Sequence, residues 1–294
     1  MKLHATPFLA PPPPSGAMQN ASVVILPFGY EGGVSYGTGA ARAPQAVLEA
    51  SQQVEFYDEL LEIEPFRVGL ATVAEPAMPD DPALMLDLVE SLTATLISRE
   101  KLVVLLGGDH SISPGYVRAL AKRYPELGVI QLDAHADLRN AYEKSPLSHA
   151  CAMARIREIT PHTLQIGLRS MAAEEAKLIK RCNLAVCTMD QWRRGSFDLK
   201  AALEKLPDQV FITLDVDVFD WSVVASTGTP EPGGLLWYEA LQLLATIFDS
   251  KEVVGWDVVE LAHNPGDSNS PFAVAKLIYK MIGLKYHKQL EKIS

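Results

Sequence analysis

Apolar residues run along this chain in two alternating patterns. Short unbroken blocks, Ser22–Leu26, Lys101–Leu106, Gly128–Leu132, Thr163–Leu168, Leu184–Cys187, Gln209–Leu214 and Glu252–Asp257, have the length and continuity of strands, and the first three read as buried. Between them lie stretches with a helical period: Ala43–Ser51, Pro82–Arg99, Ser113–Tyr124, a helix to about Glu158 with Ser148 as its N-cap, residues 172–182, residues 236–249, and a last helix from about Pro271. In Pro82–Arg99 the residues Leu84, Leu88, Leu92 and Leu96 form one stripe, and the last helix is expected to bury Val274, Leu277, Ile278 and Met281. Arg67–Leu70 reads as one more strand. Strands that alternate with helices argue for an α/β protein: three α/β/α layers around a mainly parallel sheet. In such sheets ligands bind beyond the carboxyl ends of the strands.

Residues 1–20 carry the Pro11–Pro14 run and are expected to form an extended, partly mobile lead-in to a single domain over residues 21–294. A Gly-rich loop from Gly29 to Gly39 lacks the Gly-Lys-Ser/Thr ending of a phosphate-binding loop and reads as tight turns over a pocket. The 294 residues are 48% hydrophobic and 21% charged, an ordinary globular composition. The net charge of −10, without a long basic run, argues against nucleic acid as a partner. No apolar run approaches the ~20 residues needed to span a bilayer, and Met1–Ala10 does not read as a signal peptide. The three cysteines, Cys151, Cys182 and Cys187, show no paired spacing, so a reducing, cytoplasmic setting is expected.

The chemistry-bearing residues fall at strand ends. Asp133, His135 and Asp137 follow the block 128–132 on alternate positions, which in an extended segment point the same way. His110 lies in Gly107-Gly108-Asp109-His110-Ser111, and Asp215-Val216-Asp217 and Glu260 follow two further blocks. Each piece alone has a plain reading: a turn with a buried histidine, or an acidic strand cap. Together they offer six donors, His110, Asp133, His135, Asp137, Asp215 and Asp217, four of them acidic, which is too many for one tetrahedral zinc. They suit two hard or borderline ions, with Asp133 and Asp215 as bridges and a shared, deprotonated water as nucleophile. Carboxylate-rich ligation favours Mn²⁺, with Ni²⁺, Co²⁺ and Fe²⁺ as alternatives. His149 is either structural or a proton shuttle. Glu260 is either a strand cap or a two-pronged partner for a guanidinium. Cys151 reads as a small packing residue.

The runs Gly107–Ser111, Asp133–Asp137, and Asp215–Asp217 with Thr227-Gly228-Thr229-Pro230 resemble the three signatures of the arginase–agmatinase (ureohydrolase) family, over about Val23 to Leu284. The resemblance implies an arginase-like fold and two Mn²⁺. His110, Asp133, Asp137 and Asp215 would hold one ion, and Asp133, His135, Asp215 and Asp217 the other. It implies hydrolysis of a small cationic guanidino substrate to urea and an amine. Both ions and Asp137 would stabilise the tetrahedral intermediate, His149 would act as proton shuttle, and Glu260 would orient the guanidinium. Ser170-Met171-Ala172-Ala173 lacks the acidic residues arginases carry there, and Ser148-His149-Ala150-Cys151 looks like agmatinases. Agmatine, giving putrescine for polyamine biosynthesis, is therefore the first expectation, with aminopropylagmatine or guanidinobutyrate as alternatives. Trp221 and Ala225-Ser226 stand where the family usually has Pro and Pro-Gly, and the bulk of Trp221 could reshape the tail pocket. The family resemblance also implies a homo-oligomer, a trimer or hexamer. A one-zinc deacylase of related fold and a non-catalytic metal-binding regulator are the competing classes. Six intact donors argue against the first. Retention of His149 and Glu260 argues against the second.

Overall fold

The computed structural model describes residues 1–292. Among them eight strands form one sheet: β1 Val23–Phe28, β2 Leu70–Thr72, β3 Leu102–Gly107, β4 Gly128–Leu132, β5 Thr163–Leu168, β6 Ala185–Thr188, β7 Gln209–Asp215 and β8 Glu252–Val259. The order across the sheet is β2-β1-β3-β8-β7-β4-β5-β6, and every neighbouring pair is parallel. The α-helices described are α1 Ala43–Ser51, α2 Pro82–Ile97, α3 Ser113–Arg123, α4 Ala152–Ile159, α5 Ala173–Cys182, α6 Met189–Arg193, α7 Leu199–Glu204, α8 Trp237–Ser250 and α9 Asn269–Leu290.

The continuous apolar blocks are explained by helices on both faces. In β1, Val23 and Ile25 join the core under α1, α8 and α9, while Val24, Leu26 and Phe28 join the core under α2, α3 and α4. The same two-residue alternation divides β3 and β7, so each strand buries both of its faces. The expected three-layer α/β/α architecture is therefore present.

Four local expectations are corrected. The apolar face of α2 is wider than the expected stripe and shifted from it: Leu96 is buried and Leu88 and Leu92 pack partly buried against the core, but Leu84 is 59% exposed, and the helix also buries Met85, Leu86, Val89, Thr93 and Ile97. This helix is apolar over so wide an arc that the rotation about its axis is set by the sheet and not by its own pattern. Residues Pro65–Val68 form a 3₁₀ turn that ends at a left-handed Gly69 (φ 81°), so the edge strand starts at Leu70 and not at Arg67. Ser148 does not cap through its side chain; its Oγ donates to Gly33 O at 3.2 Å. The first twenty residues are not a loose lead-in. Leu3 pairs with Val73, the Phe8 N–H donates to Thr72 Oγ1 at 2.8 Å, and Phe8 and Leu9 are buried.

The corrected face of α2 is testable by denaturant unfolding. Met85→Ala should destabilise the protein by about 2–5 kcal/mol, and Leu84→Ala should stay within about 0.5 kcal/mol of wild type.

Candidate metal centre

The sheet order explains why separated residues meet. β3, β8, β7 and β4 are four consecutive strands at the centre of the sheet. His110 follows β3, Glu260 follows β8, Asp215 ends β7 with Asp217 just after it, and Asp133 follows β4. Neighbouring strands lie about 4.8 Å apart, so four carboxyl ends deliver their side chains to one small volume. A Cβ at Gly108 would stand 1.9 Å from Tyr30 O, so the turn that presents His110 needs a glycine.

Extended alternation is not what aligns Asp133, His135 and Asp137. The chain bends after Asp133, whose Oδ1 accepts the His135 N–H at 2.5 Å, and Asp137 is left-handed at φ 51°. His135 is turned toward Asp217, with Nδ1 2.8 Å from its Oδ2, and Asp137 toward His110. The result is two groups of donors with Asp133 in common: His110, Asp133 and Asp137, and Asp133, His135 and Asp217. Asp215 stands with the first group, its Oδ2 3.4 Å from His110 Nδ1, while its Oδ1 accepts the Asp217 N–H at 2.8 Å.

His110 gives the test of whether a cation fits. Its Nε2 is engaged with Thr213 Oγ1 at 2.8 Å, and Thr213 Oγ1 donates in turn to Asp257 Oδ1 at 2.7 Å. Its Nδ1 is buried without a hydrogen-bond partner among the described residues, yet faces Asp133, Asp137 and Asp215 oxygens at 3.1, 3.2 and 3.4 Å. These separations are those of ligands each about 2.1 Å from one ion. A ring nitrogen oriented from its far side and left bare toward carboxylates is the arrangement of a metal-ligating histidine. The donor set therefore fits divalent ions.

Electrostatics agree. Burial, then the charges of Asp217 and Asp137, push Asp133 up to about 8, against the pull of His110. His135 is disfavoured as a cation by burial, but Asp217 outweighs this and raises it to about 10. Without a cation the cluster must hold protons to exist in the core.

Two residues beside the cluster complete the site. His149 begins a 3₁₀ turn before α4, with Nδ1 3.0 Å from Glu260 Oε1 and Nε2 2.9 Å from Ser35 Oγ. Burial opposes its charge, but Glu260 wins and raises it to about 9. Glu260 (φ 66°) also accepts the His110 N–H through Oε1 at 2.7 Å. A cavity of about 250 Å³ opens here, lined among others by Ser35, His135, Asp137, His149, Ser170 and Asp215. The Gly29–Gly39 loop covers it, held by Gly33 N–H on Asp109 Oδ2 at 2.7 Å. Trp221, half-exposed, is not on its wall.

Several supporting residues were missed from the sequence. Gln165 donates to Gln131 Oε1, and Gln131 donates to Asp133 Oδ2 at 2.6 Å, a buried amide pair matched across β5 and β4. Two glutamines inside apolar strands were the available signal. Thr213 lies two residues before Asp215, on the same strand face. Ser35 carried no signal, since only folding brings its loop to His149.

A parallel α/β sheet whose central strand ends gather shared imidazole and carboxylate donors defines an α/β protein with a candidate two-cation site. The chain belongs to the arginase family, whose sequence model matches residues 21–283. It is 39% identical to the N(1)-aminopropylagmatine ureohydrolase of Synechocystis sp., over 93% of this chain and 92% of that protein. It is 29% identical to an agmatinase of Pyrococcus horikoshii, over 92% of this chain and 94% of that one. The agmatine ureohydrolase of Thermoplasma volcanium superposes with a TM-score of 0.85 at 25% identity, covering 97% of each chain. The expected family and arginase-like fold are thus shown, and the protein is a hydrolase of the ureohydrolase kind.

Because His135 and Asp133 hold protons in the metal-free site, metal binding must release them. Affinity for Mn²⁺, titrated by calorimetry, should rise from about pH 6 to pH 8 and fall as acid returns the protons. Chelation should lower the thermal midpoint, and re-addition of the ion should restore it.

Proposed function

We propose that this protein hydrolyses N1-aminopropylagmatine to urea and spermidine, with agmatine, giving urea and putrescine, as the second reading. The sequence put agmatine first. The greater similarity to an aminopropylagmatine ureohydrolase than to an agmatinase reverses that order. The observation that carries the guanidino-hydrolase reading is the pair of donor groups sharing Asp133, with the His149–Glu260 pair beside them.

In this reading His110, Asp133, Asp137 and Asp215 hold one ion, and Asp133, His135, Asp215 and Asp217 the other. Carboxylate-rich ligation supports Mn²⁺, with Ni²⁺, Co²⁺ and Fe²⁺ as alternatives. When bound, two such ions supply Lewis acidity and activate water for attack on the guanidinium carbon. Glu260, buried and 3.0 Å from His149, sets a negative charge against the guanidinium. His149, held protonated by Glu260, gives its proton to the departing amine. Asp137, on the cavity wall, accepts a hydrogen bond as the planar carbon becomes tetrahedral. Water adds across one C–N bond, so the products are urea and the protonated amine of the tail.

Oligomer and setting belong to the same proposal. Trp221, Leu236 and Tyr238 are exposed near the Phe219–Leu235 bridge, which supports self-association into a trimer or hexamer. Three free cysteines support a cytoplasmic setting. Among the described residues no helix is long and apolar enough to cross a membrane.

Mn²⁺-loaded protein should release urea from aminopropylagmatine with a higher kcat/KM than from agmatine, arginine or guanidinobutyrate. Urea from none of the four would sink the reading. His149→Ala should lower kcat by about 10²–10⁴ with two ions per chain retained. Loss of metal in that variant would make His149 a ligand. Light scattering should give three or six times the 32.1 kDa of one chain.

A further inference from the structure

We infer that Glu231 recognises the ammonium group of the substrate's tail and is a specificity-determining residue of this site. The inference rests on the guanidino-hydrolase reading above. A cationic tail needs a counter-charge at the mouth of the cavity, and most acidic groups there are already engaged. Glu175 accepts the Leu138 N–H at 2.8 Å and the Ala172 N–H at 2.7 Å. Glu31 accepts the N–H groups of Gly39 and Ala41 at 2.5 and 3.0 Å. Glu260 Oε1 is taken by His110 and His149. The Glu231 carboxylate makes no hydrogen bond among the described residues, with the Arg169 guanidinium as a charge nearby. Among those residues its one ion pair within 4 Å is Oε1 at 3.9 Å from His135 Nε2. That is the side of the ring facing away from Asp217, and His135 itself lines the cavity. The Glu231 side chain is 33% exposed, so it can meet a ligand entering from solvent.

Its backbone is held unusually firmly. Arg169 donates through Nη2 to the carbonyls of Asp217 (2.6 Å) and Glu231 (2.9 Å), and through Nε to Pro232 O (3.0 Å). One guanidinium thus ties Glu231 to the backbone of a residue in the donor cluster. Pro230 and Pro232 restrict φ on either side of it, and Thr229, two residues earlier, is on the cavity wall. Glu231 is not itself on the cavity wall but stands directly behind His135 and close in sequence to Thr229, both of which are. A carboxylate fixed there attracts an amine-bearing tail and repels a carboxylate-bearing one. Aminopropylagmatine and agmatine fall on the favoured side, guanidinobutyrate presents a carboxylate to the same group, and arginine offsets its ammonium with a carboxylate on the same carbon.

A rival role is that Glu231 merely orients His135 by accepting its Nε2–H. At 3.9 Å no such hydrogen bond exists here. The two roles have different signatures. Glu231→Gln in the metal-loaded enzyme should raise KM for agmatine and aminopropylagmatine about five- to tenfold with kcat nearly unchanged. It should leave KM for the neutral-tailed n-butylguanidine and the metal content as in wild type. Glu231→Asp should recover part of the loss. Calorimetric binding of butane-1,4-diamine to the metal-loaded protein should weaken in parallel. Equal losses on charged and neutral tails, or loss of metal, would overturn the inference in favour of the orienting role. Unchanged KM and unchanged diamine binding would overturn it outright. If wild type makes no urea from any guanidine, the hydrolase reading fails, and the diamine comparison still decides whether Glu231 holds ammonium groups.

Discussion

Repulsion among buried carboxylates is the constraint on which this structure depends. Asp133, Asp137, Asp215 and Asp217 stand at the ends of central strands, away from bulk water, with two imidazoles among them. No arrangement of four buried negative charges is stable by itself. Positive charge must enter, as protons on His135 and Asp133 or as divalent ions. The rise of Asp133 and His135 expresses the first, and the bare Nδ1 of His110 is shaped for the second. Function and stability are therefore coupled at the same atoms.

The surrounding shell keeps those atoms in place. Asp257 and Thr213 hold the back of His110, Gln165 and Gln131 hold Asp133, and the Ala134 N–H donates to Asp217 at 3.0 Å. Each of these groups is buried and would be costly to leave unpaired, so the shell tolerates few alternative geometries. Arg169 extends the same order outward to the loop that carries Glu231. The donor cluster is held on several sides by these bonds, and the cavity opens from it.

The cavity keeps a strict division of labour between its two histidine environments. His135 and His110 face carboxylates through Nδ1 and belong to the donor cluster. His149 faces Glu260 and Ser35, off the cluster, a position that supports the proton-donor role proposed for it. Both kinds of histidine are raised by neighbouring carboxylates, and they differ in their position relative to the donor groups.

The sequence by itself determined the layers and the list of donors. Strands buried on both faces are mostly apolar, and a carboxylate or imidazole inside one needs a dedicated partner, as Asp257 in β8 has in Thr213, so β1, β3, β4, β5, β7 and β8 and the polar residues at their ends were legible. Two very short helices, α6 and α7, were not, because fewer than two turns carry no readable period. The rotation of α2 and the anchoring of Phe8 were also hidden, since both are set by surfaces distant in the chain. Only the tertiary structure decided that β3, β8, β7 and β4 are neighbours, that Asp137 turns to His110 while His135 turns to Asp217, that Ser35 borders the cavity, and that Glu231 comes to stand beside His135. Strand order and the paths of loops arise from which faces pack together. One residue's neighbours along the chain do not encode that packing.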